Sequence, residues 1–128
     1  MSDRHLTESG LARALQDGRN VEQWLGARDE SGTIVLRWVG IEHKRDGTAT
    51  LRVSDVLDDG RDDFIDVYEF SPYDWDAEDG ATYLFDTPWA ALECAVSKWG
   101  ARRDRFVNEG RVQQEYIDFR KPKTGKIR

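Results

Sequence analysis

The stretch Thr33-Ile34-Val35-Leu36-Arg37-Trp38-Val39-Gly40-Ile41-Glu42-His43, followed by Lys44-Arg45-Asp46-Gly47 and Thr48-Ala49-Thr50-Leu51-Arg52-Val53-Ser54-Asp55-Val56-Leu57, decides the fold. Its first part is dense in β-formers, with apolar residues in both parities. That is the pattern of a central strand with both faces at least partly covered. Its last part alternates: Ala49, Leu51 and Val53 fall on one side, Thr50, Arg52 and Ser54 on the other. A strand with one face in the core reads this way. Between the two parts, Asp46-Gly47 is a strong hairpin-turn signal.

Working outward, residues 21–28 read as a preceding strand, joined by the turn Asp29-Glu30-Ser31-Gly32. Downstream, Asp58-Asp59-Gly60 turns the chain again and residues 64–70 read as a returning strand. Three turns at near-regular spacing predict a four-stranded antiparallel meander. Tyr83-Leu84-Phe85 is a candidate for a short fifth strand.

Helices are expected on either side of the sheet in sequence. Residues 6–15 place Leu11, Ala14 and Leu15 on one helical face, with Thr7 or Ser9 as cap and Asp17-Gly18 as stop. Thr87-Pro88 is the clearest helix start in the chain, a capping hydroxyl followed by proline at the first helical position. That helix runs to Trp99 and ends at Gly100, and Trp89, Leu92, Val96 and Trp99 form its expected core seam. Residues 104–108 and 112–119 read as two further helical pieces, broken at Gly110, the second with Val112, Tyr116 and Phe119 on one face. The expected architecture is α+β: an N-terminal helix, the meander, then helices packed on one face of the sheet. Residues 1–119 form the one domain and residues 120–128 a basic flexible tail.

A chain of 128 residues with 38% hydrophobic and 11% aromatic residues is long and apolar enough for one core. The one cysteine, Cys94, excludes an intramolecular disulfide and a thiolate metal site. The start Met1-Ser2-Asp3-Arg4-His5 leads into no apolar run, and no window reaches the roughly 20 apolar residues that span a bilayer. A cytoplasmic protein without membrane contact is expected.

Net charge is −6, unevenly spread. Residues 55–86 carry twelve acids and one base, a net of −11, while the remainder carries 13 acids and 18 bases, a net of +5. An acidic middle repels nucleic acid and attracts cationic partners.

The acids lie in turns (Asp58, Asp59, Asp62, Asp63) and in a loop (Asp74, Asp76, Glu78, Asp79), where solvated Asp is the usual state. No catalytic residue is therefore assigned. The run Asp74-Trp75-Asp76-Ala77-Glu78-Asp79-Gly80 has the alternate acids of a calcium loop, but its glycine falls one residue late and Phe85 stands where the closing bidentate carboxylate belongs. His5 and His43 are too scattered for a metal centre, and no nucleophile or phosphate-loop motif is present. No cofactor or metal is expected. Trp75, set between Asp74 and Asp76, reads either as an interface anchor or as a loop side chain folded onto the sheet edge.

These features favour a small acidic, non-enzymatic protein-binding domain that meets a basic protein partner through Asp58, Asp59, Asp62, Asp63, Asp74, Trp75, Asp76, Glu78 and Asp79. Small bacterial immunity proteins and antitoxins are similar in size and charge. That is an analogy of type, since no family motif is matched. The alternatives are an enzyme using clustered carboxylates in a cleft and a soluble housekeeping protein whose acids only keep it in solution. What separates them is whether the acids spread over a surface or converge in a pocket.

Overall fold

A computed structural model describes residues 4–73 and 81–120. Strands β1 (Val21–Glu30), β2 (Thr33–His43) and β3 (Ala49–Leu57) form the expected antiparallel ladder. The β1–β2 hairpin closes on Ser31 and Gly32, whose φ values of 56° and 92° are those of the primed turn that matches strand twist. Asp29 Oδ1 accepts the Gly32 amide at 2.7 Å. On the other side of β2, Asp46 Oδ1 accepts both the amide and the hydroxyl of Thr48, fixing the second hairpin.

The fourth strand of the meander is β4 (Ala81–Phe85), not residues 64–70. A fifth, β5 (Val107–Asn108), pairs with the outer edge of β1, so the sheet order is β4-β3-β2-β1-β5, antiparallel throughout. Residues 64–70 instead form a tight Arg61–Phe64 bridge and a single 3-10 turn over Val67–Glu69. The reason is legible in burial. Val67 and Phe70 are buried three apart, whereas Ile65 and Tyr68 stay partly exposed, and Asp66 caps the turn by accepting the Tyr68 amide. Residues 104–108 are likewise not helical. Phe106 and Val107 are both fully buried, one packed with each core, which needs the two-sided reach of extended chain.

Helix α1 (Glu8–Gln16) begins at Thr7, whose Oγ1 accepts the Gly10 amide at 3.0 Å. Helix α2 (Pro88–Trp99) begins with the Thr87 hydroxyl accepting the Ala90 amide and stops at Gly100. Helix α3 spans Val112–Arg120, so Arg120 closes a helix rather than opening the tail; residues 121–128 lie outside the described residues.

The helices cover both faces of the sheet, not one. On the first face, Leu11, Ala14 and Leu15 of α1 and Ala91, Leu92 and Ala95 of α2 pack on Val39, Ile41, Leu51 and Val53. On the second, Val67, Phe70, Val112 and Tyr116 pack on Leu36, Trp38 and Val56. The apolar residues in both parities of β2 require this. The buried face of α2 is also rotated from the expected seam: Trp89 is 44% exposed, while Ala91 and Ala95 are fully buried. Two alanines one turn apart let the helix axis approach the sheet, and bulky Trp side chains are left to the flanks. Among the described residues no helix is long and apolar enough to cross a membrane.

Candidate functional site

The acids singled out from sequence divide by what they touch. Asp58 Oδ1 accepts the Tyr116 hydroxyl at 2.6 Å and the Gly60 amide at 3.2 Å. Burial, and then the Asp58 acceptor, push the Tyr116 phenol up to about 12. Asp59 Oδ2 accepts the Ser71 amide at 2.7 Å. Both are internal braces of the segment that follows β3. Asp62 and Asp63 in the same turn are open to solvent; Asp62 meets Arg120 at 3.4 Å and Asp63 meets Arg61 at 3.1 Å. Asp74, Trp75, Asp76, Glu78 and Asp79 lie outside the described residues.

A concave site on the second face is built from other residues. Strand register lays Glu22, Gly40 and Arg52 in one row across the second face, with Trp24, Trp38 and Ser54 in the next. Gly40 has no side chain, which leaves room above the row between Glu22 and Arg52. The segment after β3 folds over this part of the sheet and brings Tyr68, Phe70 and Pro72 above it. The result is a cavity of about 440 Å³ whose charged lining includes Glu22, Glu42, Arg52 and Glu109.

The cavity's roof is fastened from two sides. Gln113 of α3 accepts the Val67 amide at 2.8 Å and donates to the Ile65 carbonyl. The Tyr68 hydroxyl donates to Glu22 Oε1 at 2.7 Å, and the Gly110 amide reaches the same oxygen at 3.1 Å. The Tyr68 ring stands edge-on to Trp38, with centroids 5.6 Å apart and planes at 80°. Burial pushes the Glu22 carboxyl above its ordinary value, against the opposing effect of the groups that donate to it, Tyr68 first and then Gly110. Burial and then Glu22 hold the Tyr68 phenol well above the usual phenol range. Glu42 meets Arg52 only through long contacts of 3.4 Å.

His43 donates its backbone amide to Asn20 Oδ1 and sets its ring against the Leu15 carbonyl, and His5 lies 3.1 Å from Glu115. Among the described residues no group of three or more His, Cys, Asp or Glu is placed to hold a metal ion. Cys94 is half-buried against the first core.

Sequence reasoning missed Glu22, Glu42 and Glu109 because each is a lone acid far from the acidic run. One signal was available. Glu22 shares its parity with Trp24 on β1, and Glu42 shares its parity with Trp38 on β2, so carboxylates and indoles alternate onto one face. No family model, curated protein or solved structure matches this chain.

Proposed function

We propose that the chain is a non-enzymatic protein-binding domain that holds a basic macromolecular partner on its acidic second face, as an immunity- or antitoxin-type inhibitor does. The observation that carries this reading is the carboxylate-rich cavity roofed by Tyr68 and Phe70 on the second face, while α1 and α2 pack against the first. Aromatic side chains with charges at their rim are the composition of protein interfaces, and the acids supply a steering field for a cationic partner. The experiment is to isolate a basic protein that co-purifies with this chain from its source and map the footprint by amide hydrogen exchange. Protection is expected around Gly40, Asp62, Tyr68 and Gly110. A footprint on α1 and α2 contradicts the reading.

One observation favours a second reading, an enzyme with a carboxylate in a cleft. Glu22 has a raised carboxyl beside a tyrosine hydroxyl, as a general acid needs. Against it, Glu22 Oε1 already takes two hydrogen bonds that fasten the roof and the approach to α3. Turnover of a small molecule that disappears in Glu22→Gln, with the partner footprint absent, selects the enzyme.

A further inference from the structure

We propose that the cavity above Gly40 is the seat of one arginine side chain of the basic partner. This rests on the protein-binding reading and names what that surface recognises.

Three independent features of the cavity select a guanidinium. The first is size and shape. About 440 Å³ lies in the range of roughly 300–1,000 Å³ that takes a small ligand or a whole long side chain, rather than a single ion. The second is the wall. Tyr68 offers an exposed ring, backed by the buried rings of Trp38 and Phe70, with Val56 and Pro72 beside them. Planar, weakly hydrated guanidinium stacks on such rings, whereas a compact ammonium keeps its water.

The third feature is charge. Glu22, Glu42 and Glu109, together with Asp55, which is already paired with Arg37, stand against the single base of the lining, Arg52, so a phosphate or carboxylate ligand meets net repulsion and a cation meets attraction. The chain itself shows the preference: the guanidinium placed in this cavity, that of Arg52, lies against Glu42. An incoming arginine forks onto Glu42 and Glu109 at the mouth, with its stem along Phe70 and Pro72. Glu22, held by Tyr68 and Gly110, is fixed in place as the innermost negative group.

The test needs no partner. Blocked tripeptides Gly-Arg-Gly, Gly-Lys-Gly and Gly-citrulline-Gly are titrated into the isotope-labelled protein while amide NMR shifts are followed. Citrulline keeps the shape of arginine without its charge. Saturable shifts at Gly40, Tyr68 and Gly110 are expected with the arginine peptide, several-fold weaker binding with lysine and no saturation with citrulline. Glu42→Gln and Glu109→Gln, both at the open mouth, should each weaken the arginine peptide by about three- to tenfold, with unchanged spectra elsewhere showing an intact fold. Equal shifts from arginine and citrulline, or arginine shifts centred on Asp62 and Asp63 instead of Gly40, overturn the seat. Neither result touches the wider reading, which fails separately if the partner's footprint avoids the second face.

Discussion

Arg37 and Asp55 face each other across the β2–β3 ladder and meet at two points, Nε to Oδ1 at 2.7 Å and Nη2 to Oδ2 at 2.9 Å. The Arg37 guanidinium also lies over the Trp99 ring, 5.0 Å from its centroid, which ties β2 and β3 to the end of α2. Arg28 adds a third contact to Asp55 at 3.4 Å. The first acid of the acidic middle is thus neutralised inside the fold and takes no part in its outward field.

Burial alone raises the Asp55 carboxyl, but the hydrogen bonds from Arg37 and Arg28 outweigh it and hold the group below its ordinary 3.8. A depressed carboxyl contributes stability that is present above its unfolded value and is lost as pH falls through the folded one. Asp55→Asn should cost about 1–2 kcal/mol at pH 7, below the 3–5 of a fully buried pair because both partners are partly exposed. Urea unfolding at pH 7 and below pH 4 checks this: the gap between wild type and variant should narrow on acidification.

Glu22 carries the opposite sign. Its carboxyl is raised above 4.5 by burial, so its contribution is complete below that value and is lost as pH rises through the raised one. The groups around it are Tyr68, Glu109, Glu42 and Arg52. Glu22→Gln keeps an oxygen for Tyr68 and Gly110 and removes the charge. It should lie within about 1 kcal/mol of wild type at pH 7 and gain relative to it as pH rises from 4 to 8. A uniform loss across that range, measured by the same unfolding curves, contradicts it.

The orientation of α2 is tested by two truncations. Leu92 is 5% exposed and Leu92→Ala should cost roughly 2–5 kcal/mol, as buried leucines do. Trp89→Ala should cost less than about 1 kcal/mol, because that side chain faces solvent. Equal losses on chemical denaturation would restore the seam through Trp89.

Gly60 is required for a close approach. A Cβ there would sit 1.7 Å from Tyr116 Oη and 2.8 Å from Arg120 Nη1. Gly60→Ala should therefore push Tyr116 off Asp58 and cost about 1–3 kcal/mol. Tyr116→Phe alone should cost about 1 kcal/mol for the lost hydrogen bond. Together the two should cost less than their sum, since the phenylalanine removes the atom in the way; additive losses in the double-mutant cycle would show that the overlap is relieved elsewhere.

What could be read from sequence follows from how local the signals are. The hairpins around Ser31-Gly32 and Asp46-Gly47 announce themselves through turn chemistry, and β2 shows its central position by apolar residues in both parities. The segment 64–70 misleads because Phe64, Val67 and Phe70, three apart, are as apolar as a strand while Asp66 supplies a cap that only matters once the turn forms. β5 is two residues long and is made by its partner Val21-Glu22, not by propensity. In α2 the large apolar side chains suggest a seam through Trp89, whereas the packing selects the small Ala91 and Ala95. For the cavity, local sequence carries only the shared parity of Glu22 with Trp24 and of Glu42 with Trp38; the register that aligns them, the arrival of Glu109 and the roof held from α3 are long-range and leave no local trace.

The most direct measurement of the central claim is the association rate of the co-purifying basic protein with this chain as ionic strength is raised. Screening acts over a Debye length of roughly 8 Å at physiological strength, and dissociation depends on buried contacts more than on distant charge. The association rate should fall steeply with salt, fall further in an Asp62→Asn, Asp63→Asn double variant, and leave the dissociation rate largely unchanged. An association rate that ignores both salt and these substitutions would contradict an acidic docking face and leave the acids as groups that only keep the chain in solution.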